Sequence, residues 1–225
     1  MIEIEIKEYN KHMESNKGYL LVVEDIPDIL MLLDTTLKFK GYRVVTAPNG
    51  QDALEQIQKE RPALIITDIL MPRMDGFSLV HRLRIEPETR NIPVIFLSAT
   101  YVAPEDKAFA LTIGATRFME KPVILEEFLS MIEDLLNKSA PEAVQTLSER
   151  DFQKGYLKRL EIKLAEKNTQ IIRGEGLLQT VSEGEKEAFA TSLRQAVSER
   201  KEILRLLEQV KAHLEKEDAT KEAGT

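Results

Sequence analysis

Leu64-Ile65-Ile66-Thr67-Asp68-Ile69-Leu70-Met71-Pro72-Arg73-Met74-Asp75-Gly76 opens as an apolar run of strand length, stops at an aspartate and then turns. Three other apolar runs close on polar, chemistry-bearing residues. Leu20-Leu21-Val22-Val23 leads into Glu24-Asp25, Val94-Ile95-Phe96-Leu97 into Ser98-Ala99, and a weaker run over 115–119, which contains Phe118, into Lys121-Pro122. A fifth run, Val44-Val45, lies between the first two. Amphipathic stretches near 27–40, 50–60, 77–86, 104–112 and 125–137 alternate with these runs. Continuous apolar runs are the mark of strands covered on both faces, as in a parallel sheet with crossover helices. The turn residues agree: Gly41 follows the first helical stretch, Pro48-Asn49-Gly50 opens the second, and Gly114 precedes the last strand. The pattern predicts a doubly wound α/β domain of five βα units. In such a sheet the carboxylates, the hydroxyl and the ammonium converge at the carboxyl edge, where ligands bind. A carboxylate cluster there calls for a cation, and a cation beside a lysine calls for an anion.

Composition narrows the function classes. The chain has 225 residues, 43% hydrophobic and 31% charged, and no apolar run approaches the roughly 18 to 20 residues of a membrane span. Residues 1–17 mix Glu and Lys with isolated isoleucines, unlike a signal peptide's basic then apolar layout, so a soluble cytoplasmic protein is expected. With no cysteine, disulfides and thiolate chemistry are excluded. A formal charge of −7 argues against a chain built to hold a phosphate backbone.

Beyond Asn137 the character changes. Ser139-Ala140-Pro141 interrupts the pattern, and afterwards leucines and isoleucines recur at helical spacing with no strand runs. Phe189, Leu193, Ala196, Arg200, Ile203, Leu207, Val210 and Leu214 step by four and three, a heptad series, widened by Ala190, Val197 and Leu204. Leu157, Leu160, Leu164, Lys167 and Ile171 repeat the spacing with a lysine at a core position. Glycine weakens a helix by about 1 kcal/mol per site, so Gly174-Glu175-Gly176 is the expected hairpin turn. Two such helices expose more apolar stripe than they bury together, which points to a homodimeric four-helix bundle. The expected division is an N-terminal extension over 1–17, an α/β domain over 18–138, a helical hairpin or coiled coil over 139–217 and a disordered tail over 218–225. From Ser139 onward 15 Lys and Arg face 16 Asp and Glu, interspersed, and no compact helix-turn-helix unit is visible, so direct DNA contact is not expected.

On these five ordered motifs, residues 19–138 resemble the receiver domain of bacterial two-component response regulators. The resemblance implies a flavodoxin-like sheet of strand order 2-1-3-4-5. It implies that Asp68 accepts a phosphoryl group from a phosphohistidine on a histidine kinase or histidine phosphotransfer protein. Mg2+ would be held by Asp25 and Asp68, by the backbone carbonyl of Leu70, and by Glu24 from the edge of the site through water. Lys121 would meet a phosphoryl oxygen, aimed by a cis Pro122; Ser98 would offer its hydroxyl; Phe118 would be the aromatic switch residue. Output is expected by protein contact through the C-terminal helices, with no separate enzymatic domain. The alternative is a phosphorelay intermediate or scaffold that hands the group to a histidine-containing partner. Asp75-Gly76 reads as turn and helix cap, Met71 and Met74 as packing residues, and His12, His81 and His213 as solvent-facing.

Overall fold

The computed structural model describes residues 18–137, 147–180 and 182–223. Predictions falling on 1–17, 138–146 and 224–225, including the N-terminal extension, His12 and the Ser139-Ala140-Pro141 break, lie outside the described residues. The chain divides into two compact units, the second starting at Leu147.

In the first unit the elements run β1 (Leu20–Val23), α1 (Pro27–Phe39), β2 (Val44–Ala47), α2 (Gly50–Lys59), β3 (Leu64–Asp68), α3 (Gly76–Ile85), β4 (Val94–Ser98), α4 (Pro104–Thr112), β5 (Arg117–Glu120) and α5 (Leu125–Asn137). The five strands form a parallel sheet in the order β2-β1-β3-β4-β5. β1, β3 and β4 read as continuous apolar runs because both faces are covered, and Leu20, Val22, Leu64, Ile66, Ile95 and Leu97 meet Leu33 and Leu37 of α1 and Phe128 and Ile132 of α5 in one core. The last strand lies two residues later than the apolar pattern suggests, at a sheet edge where its faces are only half covered. His81 is 3% exposed on the inner side of α3, against the expectation of a solvent-facing histidine: α3 buries seven of its ten residues, so even its polar positions are enclosed.

Tyr19, 1% exposed, donates its hydroxyl to the carbonyl of Glu60 at the end of α2 (2.8 Å) and lies under the Arg43 guanidinium. Burial, reinforced by the neighbouring Glu60 carboxylate, pushes its phenol up to about 12. Since the folded value lies above the ordinary 10, this stabilisation is whole below pH 10 and fades as pH climbs toward 12. Tyr19→Phe is expected to cost about 1 kcal/mol at neutral pH and to soften the alkaline loss, read from urea melts at pH 7, 10 and 11.5.

The second unit is an antiparallel pair, α6 (Glu149–Leu178) and α7 (Glu183–Ala223). Ser148 caps α6 by accepting from the Asp151 N–H. The turn is not at Gly174-Glu175-Gly176; α6 runs through both glycines to Leu178, and the chain reverses between the two helices. Close packing explains this. A Cβ on Gly174 would lie 3.2 Å from Leu193 Cδ1, so the missing side chain lets the helices approach. The heptad series is corrected at three positions. Arg200 is exposed and Phe189 is 36% exposed, while Leu206, outside the series, is buried. Phe189, in line with the buried Ala196, Ile203 and Val210, lies level with the end of α6; at Arg200 the 3.6-residue turn of a straight helix has carried the strict 3.5 spacing off the contact line. At that level Glu199 turns inward to meet Lys167 (2.5 Å). Nor does the helix stop at 217: α7 continues to Ala223, and Asp218, assigned to the tail, pairs with Arg150 at 2.6 Å.

Candidate functional site

The ends of β1, β3, β4 and β5 place the predicted residues together. Register puts Val23 beside Thr67, Asp68 beside Leu97, and Ser98 beside Glu120, so Glu24-Asp25, Asp68, Ser98 and Lys121 emerge at one edge. Glu24, Asp25 and Asp68 each bring a carboxylate oxygen within 4.8 Å of the others, the one such acidic grouping among the described residues. Lys121, the residue after β5, sends Nζ across to Glu24 Oε2 (2.5 Å) and Asp68 Oδ2 (3.0 Å). The peptide before Pro122 is cis.

Electrostatics at this edge are demanding. Burial pushes the Asp68 carboxyl up, toward about 7; Lys121 pulls it down, and Glu24 pushes it up again. Burial alone would discourage the charge on Lys121, but the carboxylates of Asp68 and Glu24 outweigh it and hold the ammonium above its ordinary value. One lysine faces three carboxyl groups, so a hard divalent cation with oxygen ligands suits the donor set. The sequence expectation for Glu24 needs adjustment. It is 1% exposed, the most enclosed of the three acids, and its Oε1 accepts from the Ile26 N–H (3.3 Å), so it is an inner residue tied to Lys121 rather than one at the edge. Asp25 is half-buried, and Leu70 is half-buried in the loop after β3.

Ser98 is 1% exposed. Its Oγ accepts from the N–H groups of Thr100 (3.2 Å) and Tyr101 (3.0 Å), which ties the loop after β4 to the site. Phe118 is half-buried on β5, with Lys107 Nζ 5.8 Å from its ring centroid. Lys107 also pairs with Glu120. Neither contact has a local sequence signal, because each joins α4 to β5 across separate elements.

The loop from Asp68 to Gly76 is held from several sides. Asp75 caps α3, accepting from the Ser78 N–H (3.0 Å) and Ser78 Oγ (2.6 Å), in keeping with its structural reading. Met71 is fully buried and Met74 half-buried. Arg73, in the left-handed region at φ 63°, sends Nη1 to Asp52 at 2.7 Å. Sequence reasoning overlooked how tightly Gly76 fits: a Cβ there would lie 2.2 Å from the Asp68 carbonyl oxygen. Its only sequence signal is the Asp-Gly pair, which reads equally well as any turn.

Comparison with known proteins bears on this arrangement. Residues 20–133 match the family described as the response regulator receiver domain. A probable transcriptional regulator, ycf27, of Cyanophora paradoxa is 36% identical over 148 residues, which cover 65% of this chain and 60% of that protein. The alkaline phosphatase synthesis transcriptional regulatory protein PhoP of Bacillus subtilis is 31% identical over 61% of this chain and 56% of its own length. This chain therefore spans little more than half the length of these two relatives. Among solved structures, the signal receiver domain of a signal transduction histidine kinase from Syntrophus aciditrophicus superposes with a TM-score of 0.51 at 34% identity, over 58% of this chain and 97% of that one. No described helix is long and apolar enough to cross a membrane.

Proposed function

The chain belongs to the response regulator receiver domain family, and on that premise we propose that Asp68 is the phosphoryl acceptor of a two-component response regulator whose output is protein contact through α6 and α7. One observation carries the reading: three carboxylates gather within 4.8 Å while Lys121 Nζ lies 3.0 Å from Asp68. Asp25, Asp68, the Leu70 carbonyl and Glu24 would hold Mg2+, which when bound supplies positive charge against the phosphoryl oxygens. An Asp68 carboxylate oxygen attacks phosphorus, the P–N bond of the phosphohistidine breaks, and the imidazole of the kinase or phosphotransfer protein leaves with the electron pair. Lys121 exchanges part of its carboxylate contact for a phosphoryl oxygen. Ser98 gives up the Thr100 and Tyr101 N–H groups as its hydroxyl turns to the new phosphoryl group, and Phe118 moves inward as Lys107 releases its face.

The interspersed charges of the C-terminal helices support protein contact, with homodimerisation as its simplest form, over a nucleic-acid partner. The reading places the protein in the cytoplasm with its phosphohistidine donors. Incubation with magnesium and acetyl phosphate is expected to add one phosphoryl group to the intact chain by mass spectrometry, and none to Asp68→Asn. Equal labelling of the two proteins would refute the assignment, as would no labelling of either.

A further inference from the structure

The α6–α7 hairpin carries an apolar side that its own two helices leave open. Val197, Leu204, Lys211 and Asp218 are seven residues apart, so they share one side of α7. Lys211 and Asp218 meet Glu161 and Arg150, which assigns the matching side of α6: Arg150, Leu157, Glu161, Leu164, Asn168 and Ile172, spaced by seven, four, three, four and four. On this face Ile172 is 68% exposed, Val197 45% and Leu204 36%. The pairing of Lys167 with Glu199 and the contact of Gly174 with Leu193 set the level of one helix against the other. Leu164 then stands level with Leu204, Asn168 with Arg200, and Ile172 with Val197.

We propose that this face binds the same face of a second copy, in a side-by-side arrangement with both hairpin turns at one end. Size permits it. The 30 residues of α6 give about 45 Å of length, and two helices of about 10 Å diameter make a face of roughly 900 Å² per chain; a standard interface takes about 800 Å² per partner. Charge complementarity selects both occupant and orientation. The face carries Glu161 and Lys211 together with Arg200, a mixed set with no bias toward a strongly charged partner. With the two-fold axis along the helices, α6 of one copy rests on α7 of the other. Leu164 meets the partner's Leu204, Ile172 meets the partner's Val197, Asn168 meets the partner's Arg200, and Glu161 lies toward the partner's Lys211. Turned end for end about the same level, α6 would rest on α6 and α7 on α7. Arg200 would then face the partner's Arg200, and Glu161 the partner's Glu175, both repulsive. A polar Asn168–Arg200 contact amid leucines also gives the register a single solution.

This deepens the reading of α6 and α7 as a contact surface and does not depend on Asp68. Sedimentation equilibrium of the full chain is expected to give a dimer. Ile172→Glu and Leu204→Glu, at exposed positions that leave the monomer's helix content unchanged by circular dichroism, are expected to weaken dimerisation at least about a hundredfold by setting an unpaired charge in the interface. The chain has no cysteine, so orientation can be read by cross-linking. A mixture of Ile172→Cys and Val197→Cys chains is expected to give the mixed cross-linked dimer, whereas efficient self-cross-linking of Asn168→Cys alone would overturn the arrangement. A monomeric wild-type chain, or variants that dimerise like wild type, would overturn the proposal; phosphoryl uptake by Asp68 measured on the same samples would show whether the acceptor reading stands apart from it.

Discussion

Gly76→Ala is expected to unfold the first unit at lower denaturant by about 3 kcal/mol or more and to remove phosphoryl uptake. The added methyl would sit 2.2 Å from the Asp68 carbonyl oxygen, 3.0 Å from Ile69 Cα and 3.1 Å from the Asp68 carbonyl carbon. All three are backbone atoms, which cannot swing away as a side-chain tip can. Gly76 also donates its N–H to the Ile69 carbonyl at 2.8 Å, so the two segments are held together at that approach. Relief therefore requires β3 and the start of α3 to separate, which displaces the carboxylate of Asp68 from Lys121. The same change at Gly176 provides the contrast. A Cβ there meets nothing within 4 Å, so Gly176→Ala should stabilise α6 by up to about 1 kcal/mol through helix propensity alone. Urea melts of both variants, with acetyl phosphate labelling of the first, decide the matter. If Gly76→Ala melts and labels like wild type, β3 and α3 do not approach so closely in solution.

Lys121→Met carries the second large effect. The lysine is 13% exposed and stands between Glu24, 1% exposed, and Asp68, 13% exposed. Removing one partner of a buried ion pair leaves an uncompensated charge and costs about 3 to 5 kcal/mol. Two such carboxylates lose their shared cation here, so a loss of about 3 kcal/mol is expected in chelator, partly recovered on adding magnesium. Glu24→Gln in the same chain should recover part of it as well, because the double variant deletes the charge left behind. A single variant as stable as wild type would mean that Lys121 does not neutralise the pair. Labelling by acetyl phosphate and the movement of Phe118, followed by the ring's fluorine signal after labelling with fluorophenylalanine, should both be impaired.

These expectations rest unevenly on the linear chain. Apolar runs of four or five residues, each ending in polar groups, already indicate β1, β3 and β4, because a strand enclosed on both faces cannot tolerate a charge until it reaches the sheet edge. Asp68, Asp25, Ser98 and Lys121 were legible for the same reason. Family resemblance supplied their joint meaning, and the register then placed them side by side. The helical unit was less legible: periodicity marks a helix but not where two helices touch. Gly174 reads as a breaker until Leu193 is seen packed against it, and Arg200 reads as a core position until the helix's drift turns it outward.

Local pattern was thus enough for the kind of each element and for the acidic edge, since burial and turn chemistry act over a few neighbouring residues. Contacts between distant segments settled the remainder: Glu24 bound inward to Lys121 across 97 positions, Gly76 pressed on the Asp68 backbone, and the side of the α6–α7 pair that leaves Ile172, Val197 and Leu204 exposed. Such contacts depend on distances that no short window of residues encodes, because they arise only when separate elements have packed.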